Sequence, residues 1–201
     1  NAIEPTDRLR GIEMYKSPSF HGGTDAMVEE FFFDITEMQK IENIEDRCTM
    51  LICLITARRR GEVTKLLRSD IRGDKVFVPE SVTKTGNTDE YPLPDEVMEL
   101  INTLPKERDN IFTIGDHRMT STFNKVVQDA KIQLSKDSKL TLHDTRNLFS
   151  SIMSPETNNP LLVDRCLSHA QHSIMNIYLD FTYDKRKDVF EKYWKIVRGE
   201  I

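Results

Sequence analysis

The chain has 201 residues, of which 38% are hydrophobic and 30% charged, with 8 Gly, 8 Pro and no low-complexity tract. This suits one large globular domain and excludes the disordered and fibrous classes. The formal net charge of −5 speaks against a uniformly basic surface for nucleic acid, and no apolar run approaches the roughly 18 residues of a membrane helix.

The N-terminus, Asn1-Ala2-Ile3-Glu4, carries neither an initiator Met nor a signal sequence, so the chain reads as a piece of a longer cytoplasmic protein. Residues 1–24, broken by Pro5, Pro18, Gly22 and Gly23, read as a linker or peripheral segment. From Thr36 a capping residue precedes Met38 and Ile41, and after Asp46 the apolar positions Met50, Leu51, Leu54 and Ile55 recur at helical spacing, which predicts two successive helices. A third is predicted from about Arg60 to Leu67, with Val63, Leu66 and Leu67 on its buried side.

The period then changes. Lys75–Val78, Ser81–Lys84 and Glu90–Leu93 read as short strands of a small antiparallel sheet, with a tight hairpin turn at Thr85-Gly86-Asn87-Thr88. Beyond Asp95, a good N-cap, helices are predicted over 96–103, 121–134, 143–153, 161–167, 173–179 and 185–197. The expected fold is mainly α with a small antiparallel β-sheet (α+β). Cys48, Cys53 and Cys166 form an odd set without zinc-ribbon spacing and read as buried reduced thiols.

Four features could carry chemistry. His143 and Arg146, three apart on a helix, share a face and could converge on one anion. Thr56-Ala57-Arg58-Arg59-Arg60-Gly61-Glu62 is a cationic turn, Lys84 stands at a hairpin lip, and Leu167-Ser168-His169 is followed nine residues later by Tyr178. Each alone has a bland reading: a surface pair, a solvated helix end, an exposed lysine, a packed tyrosine. Local charge matters more than the sum, and Arg58, Arg59, Arg60, Lys65, Arg68, Arg72 and Lys75 form a basic stretch that Glu62, Asp70 and Asp74 only partly offset.

In this order, the four resemble the catalytic domain of the tyrosine recombinases, the phage integrase family, over about Thr36 to Leu179. Arg59 with Glu62 falls on the family's Thr-Gly-x-Arg-x-x-Glu motif, Lys84 on its hairpin lysine, and His143 with Arg146 on His-x-x-Arg. His169 falls on Leu-Gly-His and Tyr178 on the nucleophile. Ala57 and Ser168 replace two of the family's glycines, and Asn147 stands where His or Arg is common.

The resemblance implies a tyrosine recombinase catalytic-domain-like fold, with 1–24 a peripheral segment, 25–184 the catalytic domain and 185–201 a C-terminal tail helix. Separate N-terminal DNA-binding domains would lie outside this chain. It implies a site-specific recombinase that cleaves and rejoins DNA through a 3′-phosphotyrosine at Tyr178, in integration or excision of a prophage or other mobile element. Arg59 and Arg146 would hold the phosphate, supported by Glu62; Lys84 would protonate the leaving 5′ oxygen; His143 and His169 would assist Tyr178. The expected partners are double-stranded DNA attachment sites, a homotetramer on paired sites that is weakly associated or monomeric alone, and DNA-bending accessory proteins. The expected place is the cytoplasm of a bacterial or phage-infected cell, near the nucleoid.

No Gly-rich phosphate loop and no paired carboxylates for two metal ions are present, so neither nucleotide nor metal is expected. A zinc site on His143, Cys166, His169 and His172 is set aside, because the family pattern already accounts for His169. The acidic total predicts weak duplex binding by this chain alone. Val189, Phe190, Tyr193, Trp194 and Val197 give the tail an apolar face, to pack on its own domain or dock on a neighbouring subunit. Alternatives are a type IB topoisomerase, which shares the catalytic groups, and a catalytically silent DNA-binding regulator.

Overall fold

A computed structural model of the chain describes residues 38–84, 86–129, 140–169 and 181–201. The architecture is built around α1 (Ile44–Thr56), whose N-cap Asn43 accepts the Asp46 amide at 3.0 Å. Every residue from Cys48 to Thr56 is buried, so α1 is apolar on all sides and forms the axis of the core. It stops at Ala57, which adopts the left-handed conformation (φ 52°, ψ 30°). A short α2 (Arg60–Val63) follows.

The sheet has three antiparallel strands in the order β1 (Ile71–Arg72), β2 (Lys75–Val78) and β3 (Asp89–Pro92), with Val76 opposite Tyr91. Gly73, at φ 68°, supplies the left-handed residue of the β1–β2 turn. Helices α3 (Asp95–Thr103), α4 (Asp116–Asp129), α5 (Asp144–Thr157), α6 (Pro160–Cys166) and α7 (Tyr183–Val197) complete the described chain.

Helices α3, α4, α5 and α7 all pack on α1, and α7 also lies against β3. Phe149 of α5 meets Phe190 and Tyr193 of α7 at ring separations of 5.2 and 4.8 Å, and the Trp194 indole donates to the Ile55 carbonyl at 2.8 Å. The last helix is thus built into the core of its own chain, and the apolar face read from the sequence is buried there.

Several elements differ from the sequence expectation. The run Ser81–Lys84 is not a strand: the Pro79 carbonyl captures the Val82 and Thr83 amides in a turn, and Lys84 rides on a loop between β2 and β3. The third strand is Ile71–Arg72 instead. The helix expected to reach Leu67 ends at Val63, because Leu66 and Leu67 pair with the segment at Asn110 and Ile111. Asp95 is the first helical residue and Pro94 the N-cap, while α4 starts at Asp116, ahead of the expected Ser121. The expected segments 1–24 and 173–179, the first helix before Met38 and the end of the helix near Leu134 lie outside the described residues.

The three cysteines are free and buried, and burial pushes each thiol up to about 12. They are inert packing groups at neutral pH. No helix of the described residues is long and apolar enough to cross a membrane.

Candidate functional site

The left-handed turn at Ala57 makes Arg58 and Arg59 diverge. Arg58 enters the core, 1% exposed, whereas Arg59, in extended conformation at the N-cap of α2, faces outward and pairs with Glu62 at 3.1 Å. Arg146 comes up from the first turn of α5 and His143 from its N-cap. These side chains meet Lys84, carried across by the β2–β3 loop, around one cavity of about 540 Å³ that Phe123 and Leu142 help to line.

The cavity resolves the objection raised by the net charge. Its walls carry Arg58, Arg59, Arg60, Lys65, Lys84 and Arg146 against the single carboxylate of Glu62. Arg60 is partly neutralised by Asp116 at 3.3 Å; among the described residues no carboxylate pairs with the Lys84 ammonium. Arg58, counted in the basic stretch by sequence, also borders the cavity, but it is almost wholly buried and its charge is met in the core by Asp89 at 2.6 Å.

Arg146 is 2% exposed, and its two terminal nitrogens donate to the carbonyls of Ala57 and, at 2.6 Å, Leu167. Two of five N–H donors are used in this way, and the buried Nε–H has no partner among the described residues. Burial, reinforced by Arg59 and Arg58, pulls its guanidinium down to about 9. A guanidinium so disfavoured signals a site short of negative charge, which a bound anion would relieve.

His143 feels the same field. Desolvation by the cavity wall, then Arg146, Arg59 and His169, lower its imidazole below the ordinary value of 6.5, with Asp144 opposing. A depressed base favours its neutral form in the fold, so the associated stability is present at neutral pH and is lost as pH falls through the depressed value. We predict that an NMR titration of His143 gives a midpoint below 6.5, and that both Arg59→Ala and saturating inorganic sulfate move it upward. A midpoint at or above 6.5 in the free protein would contradict the electropositive cradle.

His169 does not line the cavity, although its charge bears on His143. Its Nδ1 donates to the Asp164 carboxylate of α6, which leaves Nε2 as the available nitrogen. Asp164 was not singled out by sequence; its signal is a position five residues before His169, across the end of α6. Sequence reading also missed Asp89 and the inward role of Arg58 and Ser168. Tyr178 and His172 lie outside the described residues. The structure therefore brings Arg59, Glu62, Lys84, His143 and Arg146 to one cavity and places His169 within electrostatic reach of it.

Fold and site together define a helical domain that gathers a cationic cradle, with the His143 imidazole beside it, around one cavity. The chain belongs to the phage integrase family, whose model matches residues 27–185. Solved structures of the same fold include the XerH site-specific recombinase bound to its difH substrate in a pre-cleavage complex (16% identity, 78% of this chain and 52% of that one, TM-score 0.57). They also include the lambda integrase catalytic core (15%, 70% and 96%, 0.56) and the integrase of mycobacterium phage Brujita (14%, 92% and 65%, 0.62). The chain spans about half the length of the XerH recombinase and nearly the whole of the lambda catalytic core. A comparison with curated protein sequences finds no match. At these identities the likeness establishes the fold, the catalytic-domain fold of tyrosine recombinases, mainly α with a small antiparallel sheet.

Proposed function

We propose that this chain is the catalytic part of a site-specific DNA recombinase that breaks and rejoins strands through a 3′-phosphotyrosine at Tyr178. The observation that carries this reading is the cavity in which Arg59, Arg146, His143 and Lys84 converge with only one carboxylate among them. Family membership supports it, and XerH was solved on its DNA substrate.

The chemistry follows from these groups. Arg59 and Arg146 bind the non-bridging oxygens of the scissile phosphate and stabilise the charge of the pentacoordinate state. The Tyr178 oxygen attacks phosphorus as the bond to the 5′ oxygen breaks; His143, neutral at working pH, takes the phenol proton, and His169 supports it. Lys84, unpaired among the described residues and carried on a loop, gives its proton to the departing 5′ oxygen. The phosphotyrosine keeps the energy of the broken bond, and a 5′ hydroxyl of another strand releases Tyr178 by the reverse step. Tyr183, by contrast, is a poor nucleophile: burial and the carboxylates of Asp74 and Glu90 raise its phenol.

The partner in this reading is a duplex attachment site of a prophage or other mobile element, with strand exchange in a homotetramer on two paired sites, assisted by DNA-bending proteins. The test is a nicked suicide duplex incubated with the full chain and with Tyr178→Phe, resolved on a denaturing gel without ATP or metal. We expect a slower protein–DNA band that the variant lacks. Binding of the duplex without any covalent band would favour a silent DNA-binding regulator.

A further inference from the structure

Beside the cavity, which Arg58 helps to line, lies a buried polar hub that the mechanism above does not use. Asp89 of β3 has a side chain only 3% exposed. Its Oδ2 accepts from Arg58 Nη1 at 2.6 Å and from the Ser168 hydroxyl, and its Oδ1 accepts from Arg186 Nη1 at 2.8 Å. Arg58 also donates to the Cys166 carbonyl and lies over the Tyr91 ring at 4.5 Å; Arg186, on α7, donates to the Glu90 carbonyl at 2.7 Å.

The partners of Asp89 are chain neighbours of the site. Arg58 adjoins Arg59, and Ser168 adjoins His169. Arg186 and Ser168 flank, on either side in sequence, the stretch that contains Tyr178. One carboxylate therefore ties together the segments that carry three of the site side chains.

Ser168 adds a second, independent observation. It sits at φ 54°, a left-handed conformation that glycine adopts freely and serine does not. A serine held there against its backbone preference is explained by its hydroxyl, which reaches Asp89 and also accepts from Arg58. Glycine would relax the backbone and lose the tether.

We propose that Asp89 is a positioning residue for strand cleavage, holding the Arg59 loop, the His169 turn and the C-terminal helix in register from beside the cavity. The role rests on the recombinase reading for its function, but its geometry can be tested apart from it.

Ser168→Gly is the discriminating variant, because glycine fits the observed backbone and leaves the Arg58–Asp89 and Arg186–Asp89 pairs in place. Hydrogen–deuterium exchange, duplex affinity, Tm and single-turnover cleavage of the suicide duplex are compared with the wild-type chain. Amide exchange over residues 57–62 and 165–169 should accelerate and cleavage slow by about 10- to 100-fold, with Tm and duplex Kd unchanged. Unchanged exchange, unchanged cleavage, or a cleavage loss matched by equal losses of Tm and duplex affinity would each overturn the proposal. Asp89→Asn should exceed Ser168→Gly in both readouts; if it fails to fold, the Ser168→Gly result stands alone and decides. A wild-type chain that forms no covalent adduct counts against the recombinase reading only, and the exchange measurements then still decide whether Asp89 ties the loops together.

Discussion

Arg146→Ala is expected to slow formation of the covalent DNA adduct by about 10²–10³-fold, the scale on which removal of one preorganised charge-stabilising donor acts. It should also destabilise the fold, which Arg59→Ala should do far less. The Arg146 fork closes on the carbonyls of Ala57 and Leu167, so its removal leaves two buried acceptors unsatisfied, at about 1–3 kcal/mol each. Arg59 holds one ion pair, with Glu62, and its side chain is 22% exposed. Without Arg59, Glu62 still faces the charges of Arg58 and Arg146, and a repulsion on Arg146 is relieved. Adduct kinetics read beside thermal unfolding separate the two arginines: both variants lose rate, and only Arg146→Ala loses several kcal/mol of stability. Wild-type cleavage by Arg146→Ala would remove it from the phosphate cradle.

The same comparison explains what could be read from sequence. The helical face of α1 was legible because Met50, Leu51, Leu54 and Ile55 recur locally and Asn43 caps a local amide. The cavity was legible only through resemblance, since Arg59, Lys84 and His143 come from segments that nothing local joins. Ser81–Lys84 misled because β-branched Val82 and Thr83 favour a strand, whereas the preceding Pro79 carbonyl fixes a turn. The three consecutive arginines misled more deeply. Periodicity assigns them all to one solvated turn, but a left-handed Ala57 sends Arg58 inward to partners 31 and 110 residues away. A buried ion pair between distant segments leaves no trace in local pattern, and Asp89, between the turn at Thr85–Thr88 and the run Glu90–Leu93 that reads as a strand, carries no mark of it.

Asp89→Ala is expected to cost about 3–5 kcal/mol of stability, because it strands the guanidinium groups of Arg58 and Arg186 in the core without their shared counter-charge. Both arginines are at most 4% exposed, so water cannot replace the carboxylate. The pH dependence has a definite sign. Burial alone would raise the Asp89 carboxyl, but Arg58, the Ser168 hydroxyl and Arg186 outweigh it and hold the group below the usual carboxylate value. Its contribution is then complete above about pH 4, the unfolded value, and is lost as pH falls through the depressed folded one. Wild-type Tm should drop in that acid range, and the Asp89→Ala variant, already low at neutral pH, should change less there. Replacing the whole set, Arg58→Met with Asp89→Leu and Arg186→Met, should recover much of the lost stability, since well-packed apolar groups substitute for buried ion pairs at little net loss. If Asp89 serves mainly to position the site, that restored fold will still cleave slowly, because the ties to Ser168 and to the helix after Tyr178 are gone. A triple variant that regains both Tm and wild-type cleavage would make the hub a stabilising element alone.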